Sequence, residues 1–354
     1  MKVSQLLPVT AQGLAPFLAR ALAPVLALAV LASPALADPF RLIVTDLETP
    51  LVPNSVMDLA LQEGYFDRAG VEVELVRVQQ TPLALAALQA GEGEMANISV
   101  DALLQVIARG GADLRAVTSP NKSLPYLIAA APTVQGVEGL AGTRFGVGRL
   151  GSLDHSLSML VLGAAGIEPE GLDIVTLGQP NVRAQALLAG QIDATTMSIG
   201  TLLAMPDPDA VQVLIDVDAY YAAAPVVMKV NAVPAAVLET RGDEVEAVIE
   251  ALVLASRDYA ADGALWAEAM ARARPDVDRA DLDQLATTYA ASWSVNGGLQ
   301  RQELEHTMEW LAGTEDFADL EVPPMSQWLD FAPLDHVLAR IGIADDMDMD
   351  VHSR

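Results

Sequence analysis

The stretch LLAGQIDATTMS, residues 187–198, has an echo ninety-nine residues earlier in LQAGEGEMANIS, residues 88–99. Each puts Ala-Gly after an apolar helical run, an acid three residues past the glycine and a serine eight residues past it. The flanks repeat as well, with AGVE at 69–72 answered by AGIE at 165–168. A chain that says the same thing twice at this spacing is read as two similar lobes facing one cleft.

The segments around each copy alternate between two periods. FRLIVTDL (40–47) and VEVELVRV (71–78) are rich in β-formers, and the second alternates as a strand does. LVPNSVMDLALQEGYFDRAG (51–70) reads as one helix, with Asn54 or Ser55 as cap and Gly70 at its end. TPLALAALQAG takes Thr81 as cap and Pro82 as its first helical position and stops at Gly91; EMANI is a short strand, and Ser99 caps the next helix. The second set runs through strands at 143–148, 172–177 and 193–197, with helices at 152–166 and 181–190. Strands alternating with helices imply parallel sheets joined by right-handed crossovers. Two look-alike segments, PYLIAAAP (125–132) and AYYAAAP (219–225), are read as the two crossover strands of a hinge. The expected division is therefore a first lobe from 38–124 and 226–343, carrying the C-terminal helices, and a second lobe over 125–225. An acidic tail at 344–354 has no core pattern and is expected to be mobile.

The first 37 residues stand apart from this scheme. Lys2 and Arg20, the apolar run ALAPVLALAVLA (21–32) and the ending Ala35-Leu36-Ala37 form a secretory signal peptide, cut after Ala37. The run is too short to span a bilayer, which needs roughly 20 apolar residues. A soluble, exported, periplasmic protein is expected. The chain has no cysteine, so neither a disulfide nor a lipid-bearing cysteine follows the signal. Beyond the signal, 18 basic residues face 47 acidic ones, a net charge of −29. Such a balance argues against nucleic acid and anionic membrane surfaces, both of which call for basic patches.

Catalytic patterns come out negative. His155, His306, His336 and His352 lack metal-ligand spacing, and there is no G-x-S-x-G elbow, phosphate loop or dinucleotide glycine pattern. No cofactor and no metal are expected. Binding signals are stronger, because ligands of open α/β sheets lie at the carboxyl ends of strands, against helix N-termini. Four such places recur: the loop ETPLVPN (48–54), Ser99, Gly151-Ser152 and Ser198. The plainer alternative is that each serine simply caps its helix. Arg149 is a possible anion partner or a rim residue; Tyr126, Tyr220, Tyr221 and Trp293 are stacking candidates or core aromatics; Asn121 and Asn296 are polar contacts or turn residues.

Four stretches together resemble the substrate-binding proteins of ABC importers in the nitrate, sulfonate and taurine group, which includes binders of the thiamine-pyrimidine precursor. They are ALQEGYFDRAGVEVELV (60–76), ALAALQAGEGEMANIS (84–99), VEGLAGTRFGVGRLGSLDH (137–155) and ALLAGQIDATTM (186–197). The resemblance implies a type II periplasmic-binding-protein fold: two α/β lobes, a two-strand hinge and a central cleft that closes on its ligand. It implies contacts from Gly151 and Ser152 to an anionic or carbonyl group, and from Thr49 and Asn54 in the loop after the first strand. With Ser99, Asn121, Ser198 and Tyr221 these complete the expected ligand-binding set. It implies further a monomer that hands a sulfonate, carboxylate or pyrimidine-like molecule to a membrane permease. An enzyme on the same fold, or a sensing module for a membrane receptor, are the alternatives.

Overall fold

The computed structural model describes residues 38–120, 125–150, 153–168 and 171–344. The expected signal peptide and nearly all of the acidic tail lie outside them. Numbered along the chain, the first sheet-building run holds strand β1 (Phe40–Val44), helices α1 (Val56–Gln62) and α2 (Tyr65–Ala69), β2 (Val73–Arg77), α3 (Thr81–Gln89), β3 (Met95–Ser99), α4 (Val100–Ala108) and β4 (Leu114–Thr118). The second holds β5 (Tyr126–Ala130), β6 (Arg144–Val147), α5 (Leu153–Ala164), β7 (Asp173–Thr176), α6 (Pro180–Leu188), β8 (Ala194–Ser198), α7 (Ile199–Leu203), β9 (Gln212–Ile215) and α8 (Val217–Ala223). β10 (Lys229–Pro234) follows, then α9 (Ala235–Ala261), α10 (Gly263–Ala273), α11 (Arg279–Thr288), α12 (Arg301–Ala312) and α13 (Ala332–Ile341).

These strands make two five-stranded sheets with one shared design. Their orders are β2-β1-β3-β10-β4 and β7-β6-β8-β5-β9. In each sheet four strands run parallel to one another, and one intruding strand, β10 or β5, runs antiparallel to both neighbours. The repeat in the sequence is thus a repeat of topology. Both sheets are covered on both faces, which is why their strands read as near-continuous apolar runs. Along β5, Leu127 and Ala129 enter one apolar cluster while Ile128 and Ala130 enter the other, the two-residue period of a pleated strand. The C-terminal helices pack on the first sheet: Val248, Trp266, Leu285, Leu304 and Leu334 share one core with Leu42 and Ile98.

The echoed motif now has a physical account. Gly91 and Gly190 stop α3 and α6 with φ of 75° and 67°, a left-handed conformation that suits glycine. Three residues on, Glu94 accepts the backbone N–H of Arg41 at 2.7 Å and a guanidinium N–H of the same residue at 2.7 Å. Asp193 repeats this with Arg144, at 2.8 Å and 2.7 Å. Arg41 and Arg144 stand in β1 and β6, the equivalent strands of the two sheets, so each acid pins its own strand to the one beside it. Burial pushes Glu94 up, but the hydrogen bonds from Arg41 outweigh it and leave the carboxyl below its ordinary range. The Arg144 hydrogen bond lowers Asp193 against a smaller opposing effect of burial.

Two expectations are corrected. AYYAAAP at 219–225 is not a hinge strand, since Val217–Ala223 is helix α8. Alanine favours helix, Asp216 caps the first turn by accepting from Ala219 N–H at 2.9 Å, and Tyr220 is buried edge-on against Tyr126. The antiparallel strand starts only at Lys229. The helix expected over 51–70 is a short 3-10 turn at Pro53–Ser55 followed by α1 and α2, broken at Gly64. Among the described residues no helix is long and apolar enough to cross a membrane.

Candidate functional site

A cavity of about 800 Å³ opens where the carboxyl ends of the parallel strands in the two sheets meet. From the first sheet come Thr45 and Asp46 after β1, Gln79, Gln80 and Thr81 after β2, and Ser99 at the end of β3. From the second come Gly148 and Arg149 after β6, Gly178 and Gln179 after β7, and Thr196 to Ser198 in β8. The two antiparallel strands contribute through their first residues, Lys229 of β10 and Tyr126 of β5. These two are topological equivalents: Lys229 pairs in register with Ser99, and Tyr126 with Ser198. Loop residues Pro50, Leu51 and Val52 and the segment Ala204, Met205, Pro206 add an apolar wall.

Among the described residues four cations line this cavity, in a chain with 20 basic residues and 47 acids. Three of them differ sharply in how they are held. Arg183 is 3% exposed, donates to Thr195 Oγ1 at 3.1 Å, Gly178 O at 2.5 Å and Thr196 O at 3.2 Å, and stands 3.4 Å from the Asp154 carboxylate. Arg274 is tied to Asp276 at 2.7 Å and to Thr49 O at 3.1 Å. Lys229 has one hydrogen-bond partner among the described residues, the Thr45 hydroxyl at 2.8 Å. Burial pushes the Lys229 ammonium down from its ordinary pKa, while the Asp46 carboxylate pulls the other way. Arg149 is exposed at the rim. Burial raises the Tyr126 hydroxyl well above its ordinary range, so at neutral pH it is a hydrogen-bond donor.

Of the residues expected to bind ligand, Asn54, Ser99 and Ser198 line the cavity, the two serines from opposite sheets. Asn54 donates to Asp46 at 3.4 Å. Ser198 also caps α7, accepting the Thr201 N–H at 3.1 Å, whereas Ser99 makes no capping bond to α4. Thr49 is not among the lining residues; it is buried and donates to Asp58 at 3.2 Å. Tyr221 also lies elsewhere, hydrogen-bonded to Glu303 of α12 and beside a separate small cavity with Tyr220 and Met228. Asn121, Gly151 and Ser152 fall outside the described residues. Trp293 belongs to the core of the first lobe, 5.3 Å from Tyr259, and Asn296 is spent on Arg257 and Ala344. Among the residues missed by sequence reasoning are Thr45, Asp46, Gln79, Gln80, Arg183, Lys229 and Arg274. The carboxyl-end rule could have found the first four, since each directly follows a parallel strand. Lys229 could not be found that way, because its strand runs backwards and presents its first residue to the cleft.

Residues 56–262, more than half of the chain, match the family model described as NMT1/THI5 like. The chain belongs to the NMT1/THI5-like family. No curated protein matches it in sequence. Solved structures place this NMT1/THI5-like chain among periplasmic binding protein folds. A putative periplasmic sulfonate-binding protein, SsuA, of a sulfonate ABC transporter from Methylobacillus flagellatus KT superposes with a TM-score of 0.68 at 13% identity, covering 87% of this chain and 96% of its own. The ligand-binding component of an ABC-type import system from Staphylococcus aureus, solved with zinc bound, gives 0.67 at 13% identity over 85% and 99%. A desulfurization enzyme, DSZB, gives 0.62 at 15% identity over 85% and 98%. At these identities the likeness is one of fold.

Proposed function

We propose that this NMT1/THI5-like protein is a periplasmic solute-binding receptor that closes its two lobes on a small organic molecule and delivers it to an ABC importer. The observation that carries the reading is the cleft itself: two sheets of identical order supply equivalent residues, Ser99 with Lys229 and Ser198 with Tyr126, to one cavity. A ligand touching both halves stabilises only the state in which they are together. The importer components with the same fold support the delivery role. The first 37 residues, read as a cleaved signal, support the periplasm. A binder rather than an enzyme is favoured by the way the cleft's charges are used, with Arg183 and Arg274 held by neighbouring carboxylates and carbonyls. We read the receptor as a monomer.

Docking on a membrane permease is supported by the rim. Leu47 and Leu150 follow the equivalent strands β1 and β6, and Leu83 and Val182 sit in the first turns of the equivalent helices α3 and α6. All four are exposed, Leu47 and Leu150 by more than 60%, and each neighbours a cavity-lining residue in sequence. Exposed apolar groups repeated on both lobes suit a partner that spans them. The test pairs binding with shape: small-angle scattering before and after adding ligands that raise the melting temperature. A smaller radius of gyration with ligand, and recovery of the ligand unchanged, support the receptor. An unchanged shape at saturation refutes closure, and a converted ligand refutes the binder.

A further inference from the structure

We propose that the hydrogen bond from Tyr221 to Glu303 is a latch across the lobes, which sets how readily the cleft shuts without touching what the cleft holds. The inference rests on the receptor reading and names the residues that govern its closure. Tyr221 belongs to α8, whose Tyr220 shares the second-lobe core with Phe145, Val147 and Leu157. Glu303 belongs to α12, whose Leu304 and Leu311 enter the first-lobe core with Leu42 and Ile98. The phenol O–H of Tyr221 donates to the Glu303 carboxyl group and so joins an element of one lobe to an element of the other. Two turns further along α12, Trp310 packs against both cores. Neither Tyr221 nor Glu303 is among the residues lining the large cavity.

α12 is itself fixed to the places where the chain crosses between the lobes. One crossing is at 226–228, where Val226 and Met228 enter the second-lobe core and Val227 the first. Thr307 of α12 is buried there and accepts the Val227 N–H at 2.9 Å. At the other crossing the Ser119 N–H and the Thr118 hydroxyl both donate to Gly297 O at 2.8 Å. Gly297 and Gly298 turn with φ of 88° and 67° just ahead of α12, and a Cβ at Gly298 would collide with Ser119 O. Both crossings therefore lie against α12 and the turn that leads into it. Glu303 reaches from this frame to the lobe that rotates. Rotation about the crossings shifts α8 against α12, and an O–H···O bond is lost once its oxygens part beyond about 3.5 Å. The bond coexists with the contact of Gly200 in α7 on Leu51 of the first lobe, so it belongs to the state in which the lobes are together.

The chain has no cysteine, so two introduced ones carry spin labels at chosen sites alone. Leu83→Cys and Val182→Cys place them on exposed, equivalent first turns of α3 and α6. Pulsed electron paramagnetic resonance then reads the distance between the lobes in the dialysed protein, with no ligand added. The parent is expected to show a short and a long distance. Tyr221→Phe and Glu303→Met should each lower the short-to-long ratio about 5- to 30-fold. Their combination should lower it no further than the larger single effect, because both delete one bond. Glu303→Gln keeps a carbonyl oxygen as acceptor and should recover part of the ratio. Melting temperatures show that each variant folds. A ratio that holds while the melting temperature falls is a purely structural role and overturns the latch, and so does a fully additive double variant. A parent with the long distance alone also overturns the latch and leaves the receptor reading standing. A single narrow distance shared by the parent and every variant overturns the latch, and if it persists with compounds that raise the melting temperature, lobe closure falls with it.

Discussion

A methyl group at position 200 tests lobe closure more directly than any change in the ligand contacts. Gly200 lies in α7 of the second lobe, and a Cβ built there would meet Leu51 O of the first lobe at 2.6 Å and Leu51 Cβ at 2.9 Å. Ordinary contact needs about 3.4 Å, so α7 and the loop must part by roughly 0.8 Å. The loop cannot yield cheaply. Its Leu51 carbonyl accepts the Tyr289 hydroxyl at 2.6 Å, and Tyr289 is fully buried against Trp266. The helix itself gains from alanine, by up to about 1 kcal/mol. Gly200→Ala therefore opposes the approach of the lobes and leaves each lobe intact. Overpacking of this kind is worth about 1–3 kcal/mol, which is about a 5- to 150-fold loss of apparent affinity if the binding-competent state is the closed one. Calorimetry with a ligand that raises the melting temperature gives the affinity, and scattering gives the extent of compaction with that ligand. An unchanged affinity would refute the reasoning. So would a ligand-free protein whose melting temperature falls while affinity holds, because the lobes would then be fixed together without ligand.

Three further outcomes follow from the paired motif and the cleft. Glu94→Gln, which keeps the shape but not the charge facing Arg41 and Arg241, should destabilise the protein by about 1.5–3 kcal/mol in urea unfolding, with ligand affinity unaffected. Acid should act on the same group: Glu94 and Asp193 are held below their ordinary range, so the folded state binds fewer protons than the unfolded one, and their stabilisation disappears as pH falls below about 4. Glu94→Gln should flatten that decline relative to the parent, a comparison in which the opposite contribution of Asp58, raised by burial, cancels. Ser198→Ala removes the cap on α7 and should lower stability by about 1 kcal/mol, and because Ser198 also lines the cleft its ligand affinity should fall as well; a loss of stability alone leaves capping as its whole role.

What could be read from the chain, and what could not, divides along sequence separation. Helix α3, its left-handed stop at Gly91, strand β3 and Ser99 all follow from residues within a dozen positions of one another, and the same holds for the second copy. The expected α/β lobes and the facing serines rest on that local information. The acid of the motif is different: the role of Glu94 depends on Arg41, fifty-three residues away, and that of Asp193 on Arg144, forty-nine away. The hinge reading of 219–225 failed because likeness to 125–132 was a likeness of composition, and alanine with an aspartate cap builds a helix when its tyrosine has a face to bury.

Lys229 shows how strand direction hides a site. The cleft-lining residues Thr45, Asp46, Gln79, Gln80, Gly148 and Gln179 follow parallel strands, where the carboxyl end marks the ligand side. β10 and β5 run the other way in their sheets, so the cleft receives their first residues, and nothing local to VVMKVN or PYLIAA declares that orientation. Once both sheets are known, the repeat itself predicts the pair: whatever opens β10 must face the ligand if Tyr126 at the start of β5 does. A lysine and a tyrosine there, where the two frameworks are otherwise alike, are where a symmetric scaffold acquires an asymmetric cleft. The acids of the motif preserve the symmetry by pinning equivalent strands, and the two strand starts break it by offering an amine on one side and a phenol on the other.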